Sequence, residues 1–421
     1  MPRTPPDPAV PPASPVDGAV LVGALRGEAL RLGFSRLGVA STDPSARDPA
    51  VHRAFRAWLE AGFAGPMTDW LAGHEQLRRE PDGMLPGVRS VVMLATDHPL
   101  PGHAPAATGT GRVAAYARGD DYHPLLRGRV NLLAAWLEAR VPGCRARGVV
   151  DSAPFSEREF AWLAGLGWFG KNCMLIDPSA GSWFLLTALL TDVPLPADAP
   201  ILVDHCGTCT ACLEACPTQA FVEPRVLDAR RCLSAITIEQ RGPVPEGLRA
   251  AAGDHVFGCD VCQEVCPWNR HAPGSAEPSL LPREGTGRLG LAELLSLDEE
   301  GFRARFRGSA ILRAKRAGMA RSAAIALGNR PDPAALPPLV AALDDPDATV
   351  RGAVAWALGR ALAEGHGGDT AIAAALRTRL AGEREEGVRR EIVAALQAPA
   401  SPHSAVSSMS AEGSRPGPST A

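Results

Sequence analysis

Eight of the ten cysteines lie between Cys206 and Cys266, and their spacing constrains this chain more than any other feature of its sequence. The first motif, CGTCTACLEACP, begins at Cys206 and has the spacing C-x2-C-x2-C-x3-C-P. The second, CDVCQEVCP, begins at Cys259 and repeats the last three cysteines and the proline. Thiolates are soft, charged ligands for iron, and a tight loop of three cysteines can hold one cubane cluster. The spacing therefore predicts that electrons pass through this chain.

The two motifs are predicted to exchange ligands. In bacterial ferredoxins, the cysteine that precedes the proline binds the cluster of the other motif. Val256 occupies the place of the missing first cysteine in the second motif, and Cys232 is the nearby cysteine that can replace it. We therefore predict two 4Fe–4S clusters, the first bound by Cys206, Cys209, Cys212 and Cys266, and the second by Cys216, Cys232, Cys259 and Cys262. Structural zinc is the alternative, but a zinc site does not require this motif twice.

Composition narrows the classes of function. The chain has 421 residues, enough for two or three domains, and its formal net charge of -3 gives no global field for nucleic acids. Only two lysines occur, Lys171 and Lys315, so arginine carries nearly all the positive charge. No signal-peptide pattern and no run of 18 or more apolar residues is present. We therefore expect a cytoplasmic protein without a membrane segment, whose cysteines serve metal binding rather than disulfides. We also expect a monomer.

Changes in composition along the chain predict an α+β multidomain protein. Residues 1–17 and 398–421 are rich in proline or small polar residues and are expected to be disordered. Residues 18–200 alternate helix and strand patterns, as in an α/β domain large enough for a bulky cofactor, and residues 201–285 form a ferredoxin-like two-cluster domain. Residues 286–397 contain three similar alanine-rich helices, which predict HEAT-like repeats. A single alanine-rich bundle is the alternative for this last part.

One acidic residue upstream of the cysteines is a candidate for catalysis. Asp151 follows the apolar run GVV and enters a turn with Ser152 and Pro154. Its structural role would be to cap the helix that follows, and its functional role would be to present a carboxyl group at the mouth of a pocket. The sequence contains no P-loop, and no G-x-G-x-x-G follows a strand, so nucleotide binding is not indicated. Because about 200 residues precede the cluster motifs, we expect the electrons to be used there.

The chain also resembles epoxyqueuosine reductase, the cobalamin-dependent family that completes queuosine in tRNA. The resemblance runs from about residue 20 to residue 397 and rests on a series of motifs in order. The upstream motifs are YARGDDYH from Tyr116, VDSAPFSER from Val150, AGLGWFGKN from Ala164 and GSWF from Gly181. The motifs of the cysteine region are DHCGTCTAC from Asp204, DARRCLS from Asp228 and GCDVCQEVCPWN from Gly258.

This resemblance implies the cofactor and the roles of several residues. The upstream domain would bind cobalamin, one cluster would lie near the corrin, and the helical repeats would hold the tRNA. Asp151 matches the family's proton donor, and we expect burial to raise its pKa and keep it protonated near neutrality. Asp151 also belongs with the positions that fall near family cobalamin contacts, which are Arg78, Tyr116, Lys171, Asn172, Leu175, Ser182 and Ser234.

Several positions depart from the family pattern. Ala235 stands where the family often has an aromatic residue, and Cys173 where threonine or another small polar residue is usual. Residues 121–123 begin the D-x-H-x-x-G pattern that gives cobalt a histidine ligand in another cobalamin fold, but Leu126 replaces the glycine. We therefore expect base-off cobalamin without a histidine ligand, and a structural role for His123.

The expectation of a tRNA partner has a second basis in the sequence. The segment RARFRGSAILRAKRAGMAR, which begins at Arg303, has seven basic residues and no acidic one. A charge run is most often a solvated face, but this one joins the cluster region to the repeats, where an anticodon loop would need phosphate contacts. We predict RNA contacts from Arg313, Lys315 and Arg316.

Two functions of other classes stay open at this point. One is another corrinoid iron–sulfur reductase that acts on a small molecule, such as a reductive dehalogenase. Those enzymes usually carry an export signal and lack a helical-repeat end, whereas this chain has the reverse. The other is an electron carrier with an attached interaction module, which would bind no cobalamin. If the chain is an epoxyqueuosine reductase, as the resemblance implies, it requires an external low-potential electron donor of flavodoxin or ferredoxin type.

Overall fold

The computed structural model of the chain describes residues 17–102, 107–275, 277–365 and 369–397. The disorder expected for 1–17 and 398–421 falls outside these ranges, apart from Asp17, whose carboxylate caps the first helix. Among the helices in the described ranges, none is both long and apolar enough to cross a membrane. Helices and small sheets alternate up to residue 290 and helices alone follow, which confirms the α+β multidomain class.

The upstream part holds a four-stranded antiparallel sheet and its helices. Its elements are α1 (Gly18–Arg31), β1 (Arg36–Ser41), α2 (Pro49–Glu60), α3 (Thr68–Gly73), α4 (Glu75–Arg79), β2 (Ser90–Asp97), β3 (Thr110–Val113), α5 (Tyr122–Arg140), β4 (Ala146–Val149), α6 (Glu157–Leu163), β5 (Trp168–Phe169), β6 (Leu175–Ile176) and β7 (Phe184–Thr191). The strand order of the sheet is β1-β2-β7-β4. Nearly all of β2 is buried, because helices cover both faces of the sheet, and this explains its continuous apolar sequence SVVMLA.

Alternate side chains of β2 point into two separate cores. Val92 lies in one core with Leu25 of α1 and Leu133 of α5. Val91 lies in the other core with Phe160 of α6. The loop that connects β4 to α6 is therefore held at both ends by packed elements, and this loop contains the candidate acid.

The cysteine-rich part is built from short elements between its loops. They are α7 (Ala211–Glu214), β8 (Phe221–Glu223), β9 (Val226–Leu227), α8 (Leu233–Ile238), α9 (Glu246–Arg249), β10 (His255–Phe257), α10 (Val261–Glu264) and β11 (Arg288–Gly290). Strand β3 of the upstream part pairs with β10 in parallel and with β11 in antiparallel fashion. A Cβ atom on Gly111 of β3 would lie 2.4 Å from Val256, so glycine is needed at this contact. The two parts are thus joined by strand pairing.

The C-terminal part is helical throughout its described residues. Its helices are α11 (Leu291–Ser296), α12 (Glu299–Arg305), α13 (Lys315–Asn329), α14 (Leu336–Ala341), α15 (Ala348–Ala363), α16 (Asp369–Gly382) and α17 (Glu386–Gln397). The long helix α15 packs between α13 and α17. A Cβ atom on Gly328 would lie 2.3 Å from the Trp356 ring, so this glycine permits close contact between α13 and α15. The three stacked helices are those that the sequence repeats predict.

Arginines that mark the three repeats are built into the fold. Arg321 is 1% exposed and donates to backbone carbonyl oxygens in residues 236–242. Arg351 is buried and donates hydrogen bonds to both carboxylate oxygens of Glu383. Arg389 donates to a carbonyl oxygen in α16. Removing one partner of the buried Arg351–Glu383 pair typically costs about 3–5 kcal/mol, because the other charge is left buried and unpaired. These three arginines are therefore part of the helical framework and not of an exposed surface.

Candidate active site

The predicted cluster ligands lie on short helices and in the loops that flank them. Cys212 is in α7 and Cys262 is in α10, and these two helices pack against each other. Cys232 is at the N-cap of α8. The two motifs and the single cysteine between them are therefore brought into one region of the fold.

Within this region the thiols form two groups. The pKa of Cys212 is raised to about 11, mainly by burial, with contributions from three neighbouring thiols, Cys266, Cys206 and Cys209. The pKa of Cys259 is raised to about 12, mainly by burial, with contributions from two thiols outside its own motif, Cys232 and Cys216. Bound iron would displace the thiol protons, so these pKa values do not describe the protein with its clusters. The pKa shifts show which thiols are neighbours. These neighbours agree with the predicted ligand sets, with Cys266 near Cys212 and Cys216 near Cys259, but Cys212 also acts on the pKa of Cys262, so the two sets lie side by side and the assignment stays a prediction.

A large cavity opens beside the cysteine region. Its volume is about 1060 Å³, whereas pockets for drug-sized ligands are typically about 300–1,000 Å³. Its walls come from distant parts of the chain: Phe55 in α2, Arg78 in α4, Tyr116, Asp151 in the loop before α6, and Arg313 at the start of the helical repeats. The cavity can therefore enclose a ligand larger than most small molecules.

Asp151 lies in the cavity wall in a left-handed backbone conformation, with a φ of 32°. Its Oδ2 accepts hydrogen bonds from the Tyr122 hydroxyl at 2.6 Å and from His123 Nε2 at 2.9 Å, and its backbone N–H donates to Glu157 Oε1 at 2.7 Å. The residue at the N-cap of α6 is Ser156, so Asp151 does not cap that helix. Its side chain is 52% exposed and is available to a ligand in the cavity.

The surroundings of Asp151 hold it ionised. Burial acts to raise its pKa, but hydrogen bonds from His123 and Tyr122 and the charge of Arg313 outweigh this effect and leave the pKa below its ordinary value. Burial acts to lower the pKa of His123, but Asp121 and Asp151 raise it to about 9. The expectation that burial keeps Asp151 protonated is therefore wrong for this state of the site. The proton lies on His123, between two carboxylates.

Two more ionisable side chains in the cavity wall, Glu157 and Arg78, shape its chemistry. Burial, followed by the charge of Asp151, raises the pKa of Glu157 to about 8, so this carboxyl group is protonated at neutrality. Arg78 donates to the carbonyl oxygen of Phe155 at 3.2 Å, and its buried Nε has no partner among the residues that the structure describes. A guanidinium with a spare donor can bind an anionic or carbonyl group of a ligand. Sequence reasoning singled out Arg78 but missed Glu157, whose only signal was its place in the motif VDSAPFSER.

The predicted cobalamin contacts do not all lie in this cavity. Arg78, Tyr116 and Asp151 line it. Lys171 instead donates to the carbonyl oxygens of Gly207 and Cys209, and Asn172 donates to the carbonyl oxygen of Cys262. The other three are Leu175, buried in the core with α6, Ser182, buried beside Gln263 and Asn269, and Ser234, in α8. Lys171 and Asn172 thus support the cysteine loops.

Cys173 connects the cavity with the cysteine groups. It lines the cavity and has a positive φ of 64°. Its pKa is raised to about 11, mainly by burial, with Arg158 acting to lower it and the thiols of Cys232 and Cys212 contributing to the rise. Cys232 is a predicted ligand of the second cluster and Cys212 of the first. Both groups of cysteines therefore lie close behind this part of the wall.

The three predicted RNA contacts have different environments. Arg316 is 8% exposed and takes both carboxylate oxygens of Asp345, at 2.7 and 2.8 Å. Arg313 lines the cavity, is 57% exposed, and pairs with Glu239 at 2.9 Å. Lys315 is exposed at the start of α13. Arg316 is therefore part of the helical framework, and the RNA prediction is carried forward for Arg313 and Lys315.

Three family models match parts of the chain. They are described as Epoxyqueuosine reductase QueG, DUF1730, for residues 78–152, as 4Fe-4S double cluster binding domain for residues 205–269, and as HEAT repeats for residues 308–397. The prediction of an iron–sulfur double-cluster domain and the prediction of HEAT-like repeats are thereby confirmed.

Curated proteins of one kind resemble most of the chain. The epoxyqueuosine reductase of Pseudomonas aeruginosa is 41% identical over 353 residues, which cover 82% of this chain and 96% of that protein. The epoxyqueuosine reductase of Escherichia coli is 41% identical over 324 residues, which cover 76% of this chain and 84% of that protein.

Solved structures of the same kind share the fold. An epoxyqueuosine reductase crystallised with a tRNA-Tyr epoxyqueuosine-modified tRNA stem loop has a TM-score of 0.82 and 30% identity, covering 90% of this chain and 99% of that chain. The epoxyqueuosine reductase from Bacillus subtilis, in a form with its catalytic aspartate loop swung out of the active site, has a TM-score of 0.82 and 30% identity, covering 91% and 100%.

Proposed function

The chain belongs to the epoxyqueuosine reductase family, and on this premise we propose that it reduces epoxyqueuosine at the wobble position of tRNA to queuosine. Electrons would pass from an external low-potential donor through two 4Fe–4S clusters to cobalamin. One observation carries the proposal: Asp151 and Cys173 line the same large cavity, and Cys173 borders both groups of cysteines. A proton source and an electron path therefore meet at one ligand-sized space.

The cavity residues fit a bound corrin. Arg78 offers a donor that has no partner in the described chain, and burial raises the pKa of Tyr116 well above its usual range, so its phenol stays neutral. Both ring nitrogens of His123 are engaged, by Asp121 at 2.7 Å and by Asp151 at 2.9 Å, which supports cobalamin without a histidine ligand. When bound, cobalamin would supply a centre that accepts single electrons and is strongly reducing towards carbon.

The proton requirement of the reaction matches the site. Converting an epoxide into an alkene breaks both carbon–oxygen bonds, takes two electrons and two protons, and releases the oxygen as water. Near neutrality His123 and Glu157 each hold one proton. Asp151 accepts a hydrogen bond from His123, so its carboxylate can take up that proton and deliver it to the departing oxygen. Tyr122 holds the same carboxylate oxygen in position.

His123→Asn is expected to slow the reaction and to change its pH dependence. The wild-type single-turnover rate should fall as the pH rises through about 9, because His123 then loses its proton. The variant should lack this limb, and its rate loss should be smaller than the roughly 10²- to 10⁴-fold contribution of a direct proton donor. The measurement is a single-turnover pH profile. His271→Asn, at an exposed position outside the cavity wall, is the control; an unchanged limb in His123→Asn would contradict the role.

Electrons are proposed to enter at the first cluster. Cys209, one of its ligands, is exposed, and the preceding loop exposes 77% of Leu202 and 62% of Val203. Exposed apolar residues beside a redox centre suit a transient protein partner. From the first cluster the electrons would pass towards the cavity, where Cys232 of the second set of ligands and Cys212 of the first both act on the pKa of Cys173 in the wall.

Arg313→Glu combined with Lys315→Glu is expected to weaken tRNA binding and flatten its salt dependence. Each phosphate contact that is lost should reduce the slope of log affinity against log salt by about 1. Fluorescence anisotropy with the modified tRNA at several salt concentrations measures both quantities. Arg303→Glu, which reverses an exposed arginine of α12 outside the cavity, is the matched control. Equal slopes in the double variant and the wild type would remove these residues from the RNA interface.

The proposed activity is tested directly with the reconstituted enzyme. Anaerobic incubation with reductant and tRNA that carries epoxyqueuosine should convert the nucleoside to a product that has lost one oxygen atom, as read by nucleoside mass spectrometry. Iron and cobalamin are measured on the same sample. If both cofactors are bound and the nucleoside is unchanged, the proposed function is wrong.

A further inference from the structure

A buried tryptophan beside the first group of cysteines has an unpaired donor. Trp168 is 2% exposed, and its indole N–H finds no acceptor among the residues that the structure describes. A buried indole N–H nearly always has a partner, because an unpaired polar group in a protein interior costs about 1–3 kcal/mol. The unpaired N–H therefore indicates that an acceptor lies next to Trp168 when the protein carries its cofactors.

The local fold fixes Trp168 in place. It pairs with Ile176 in the two-stranded sheet of β5 and β6. A Cβ atom on the preceding Gly167 would lie 2.4 Å from the carbonyl oxygen of Ile176, so only glycine allows the strands to approach this closely. The backbone of Trp168 is thus held by strand pairing, and its buried ring is enclosed by packed neighbours.

The neighbours of Trp168 are ligands of the first cluster. Its side chain packs in one apolar group with Cys266, and Cys206 packs against the same group. The ring also meets Trp268 edge to face, with ring centroids 5.0 Å apart. Trp268 differs in one respect, because its own indole N–H donates to the carbonyl oxygen of His205 at 3.3 Å. The two indoles belong to the same apolar group, in which Trp268 is partly buried with a paired N–H and Trp168 is buried with one that has no partner among the described residues.

We propose that the Trp168 indole N–H donates a hydrogen bond to a sulfur of the first cluster, either a cysteine thiolate or an inorganic sulfide, and raises the reduction potential of that cluster. The proposal rests on the proposed function and on the ligands predicted for the first cluster from the sequence. The reduced cluster carries one more negative charge than the oxidised cluster, so a hydrogen bond to its sulfur stabilises the reduced form more. Each transfer moves one electron into and out of the cluster, and the indole keeps its proton throughout. Trp168 would thus help the first cluster to accept electrons from the donor.

Trp168→Phe in the reconstituted protein removes the donor and keeps an aromatic ring. At a fixed solution potential, the ratio of reduced to oxidised first cluster should fall about tenfold, which corresponds to about 59 mV for a one-electron couple. Trp168→His, which retains a ring N–H, should recover part of the shift. Trp268→Phe, which removes an indole whose N–H is already paired, should change the ratio much less. The ratio is read by redox titration with electron paramagnetic resonance.

Wild-type protein labelled with ¹⁵N in its indoles provides a second readout, which does not depend on whether the Trp168 variants bind their clusters. Pulsed electron–nuclear double resonance of the reduced first cluster should show coupling to one indole nitrogen, and the same coupling should persist in Trp268→Phe. Equal potentials in Trp168→Phe and the wild type, or the absence of indole coupling in the wild type, would overturn the proposal. Neither result would affect epoxide reduction by the wild type, whereas wild-type protein without iron would refute the ligand assignment itself.

Discussion

Asp151→Asn is expected to lower the single-turnover rate of epoxide reduction by roughly 10²- to 10⁴-fold, the range for a positioned proton donor. Asparagine is nearly isosteric with aspartate and tolerates the left-handed backbone found at this position, where φ is 32°. The fold and both cofactors should therefore be retained. The amide cannot accept the proton of His123 and deliver it to the departing oxygen. Nucleoside mass spectrometry under anaerobic single-turnover conditions measures the rate.

Asp120→Asn is the matched control for this experiment. Asp120 is also exposed, but it pairs with Arg283 at 2.6 Å and does not line the cavity. Its variant should react at the wild-type rate. If Asp151→Asn also reacts at that rate with iron and cobalamin bound, then Asp151 is not the proton donor. A rate that falls in both variants would show that a change of charge alone is responsible.

The grouping of the cysteines could be predicted because most of the ligands are close in sequence. A loop of C-x2-C-x2-C brings three thiols together whatever the rest of the chain does. Cys232 was harder to assign, since it belongs to neither motif. The position of α8 brings it to the cysteines proposed for the second cluster. Counting the ligands that the motifs lacked was enough to propose it.

The proton held by His123 between Asp121 and Asp151 could not be predicted, because its position depends on tertiary contacts. Asp121 and His123 belong to the start of α5, whereas Asp151 lies in the loop after β4. Only the folded chain places His123 between the two carboxylates, at 2.7 and 2.9 Å. Sequence reasoning considered His123 as a cobalt ligand and assigned it a structural role. It did not consider that the histidine would hold the proton expected on Asp151.

The basic run shows why linear charge is a poor guide to a binding surface. Seven basic residues occur between Arg303 and Arg321, yet the helical repeat turns some of them inwards. Arg316 pairs with Asp345 inside the fold, and Arg321 binds backbone carbonyl groups there. Arg313 instead faces the cavity, where its charge acts on Asp151. A residue predicted to bind RNA thus also belongs to the catalytic surroundings.

Variants with one ligand cysteine replaced are expected to share a spectrum when the two cysteines bind the same cluster, and not when they belong to the same motif. The intact protein should contain about eight iron atoms, and each Cys→Ala variant should retain about four. Cys206→Ala should lose the first cluster and Cys259→Ala the second, which provides two reference spectra by electron paramagnetic resonance. Cys266→Ala should then match Cys206→Ala, although it belongs to the second motif. Cys216→Ala should match Cys259→Ala, although it belongs to the first motif.

This crossed pattern distinguishes the proposed ligation from two independent sites. If each motif bound its own cluster, Cys216→Ala would match Cys206→Ala and Cys266→Ala would match Cys259→Ala. Cys144→Ala is the control, because Cys144 packs against the upstream core and should not affect the iron content. Crossing also has a structural consequence, since each motif supplies a ligand to both clusters. Loss of either cluster therefore removes one of the links that hold α7 and α10 together, and both variants should unfold at lower temperature than the intact holoprotein.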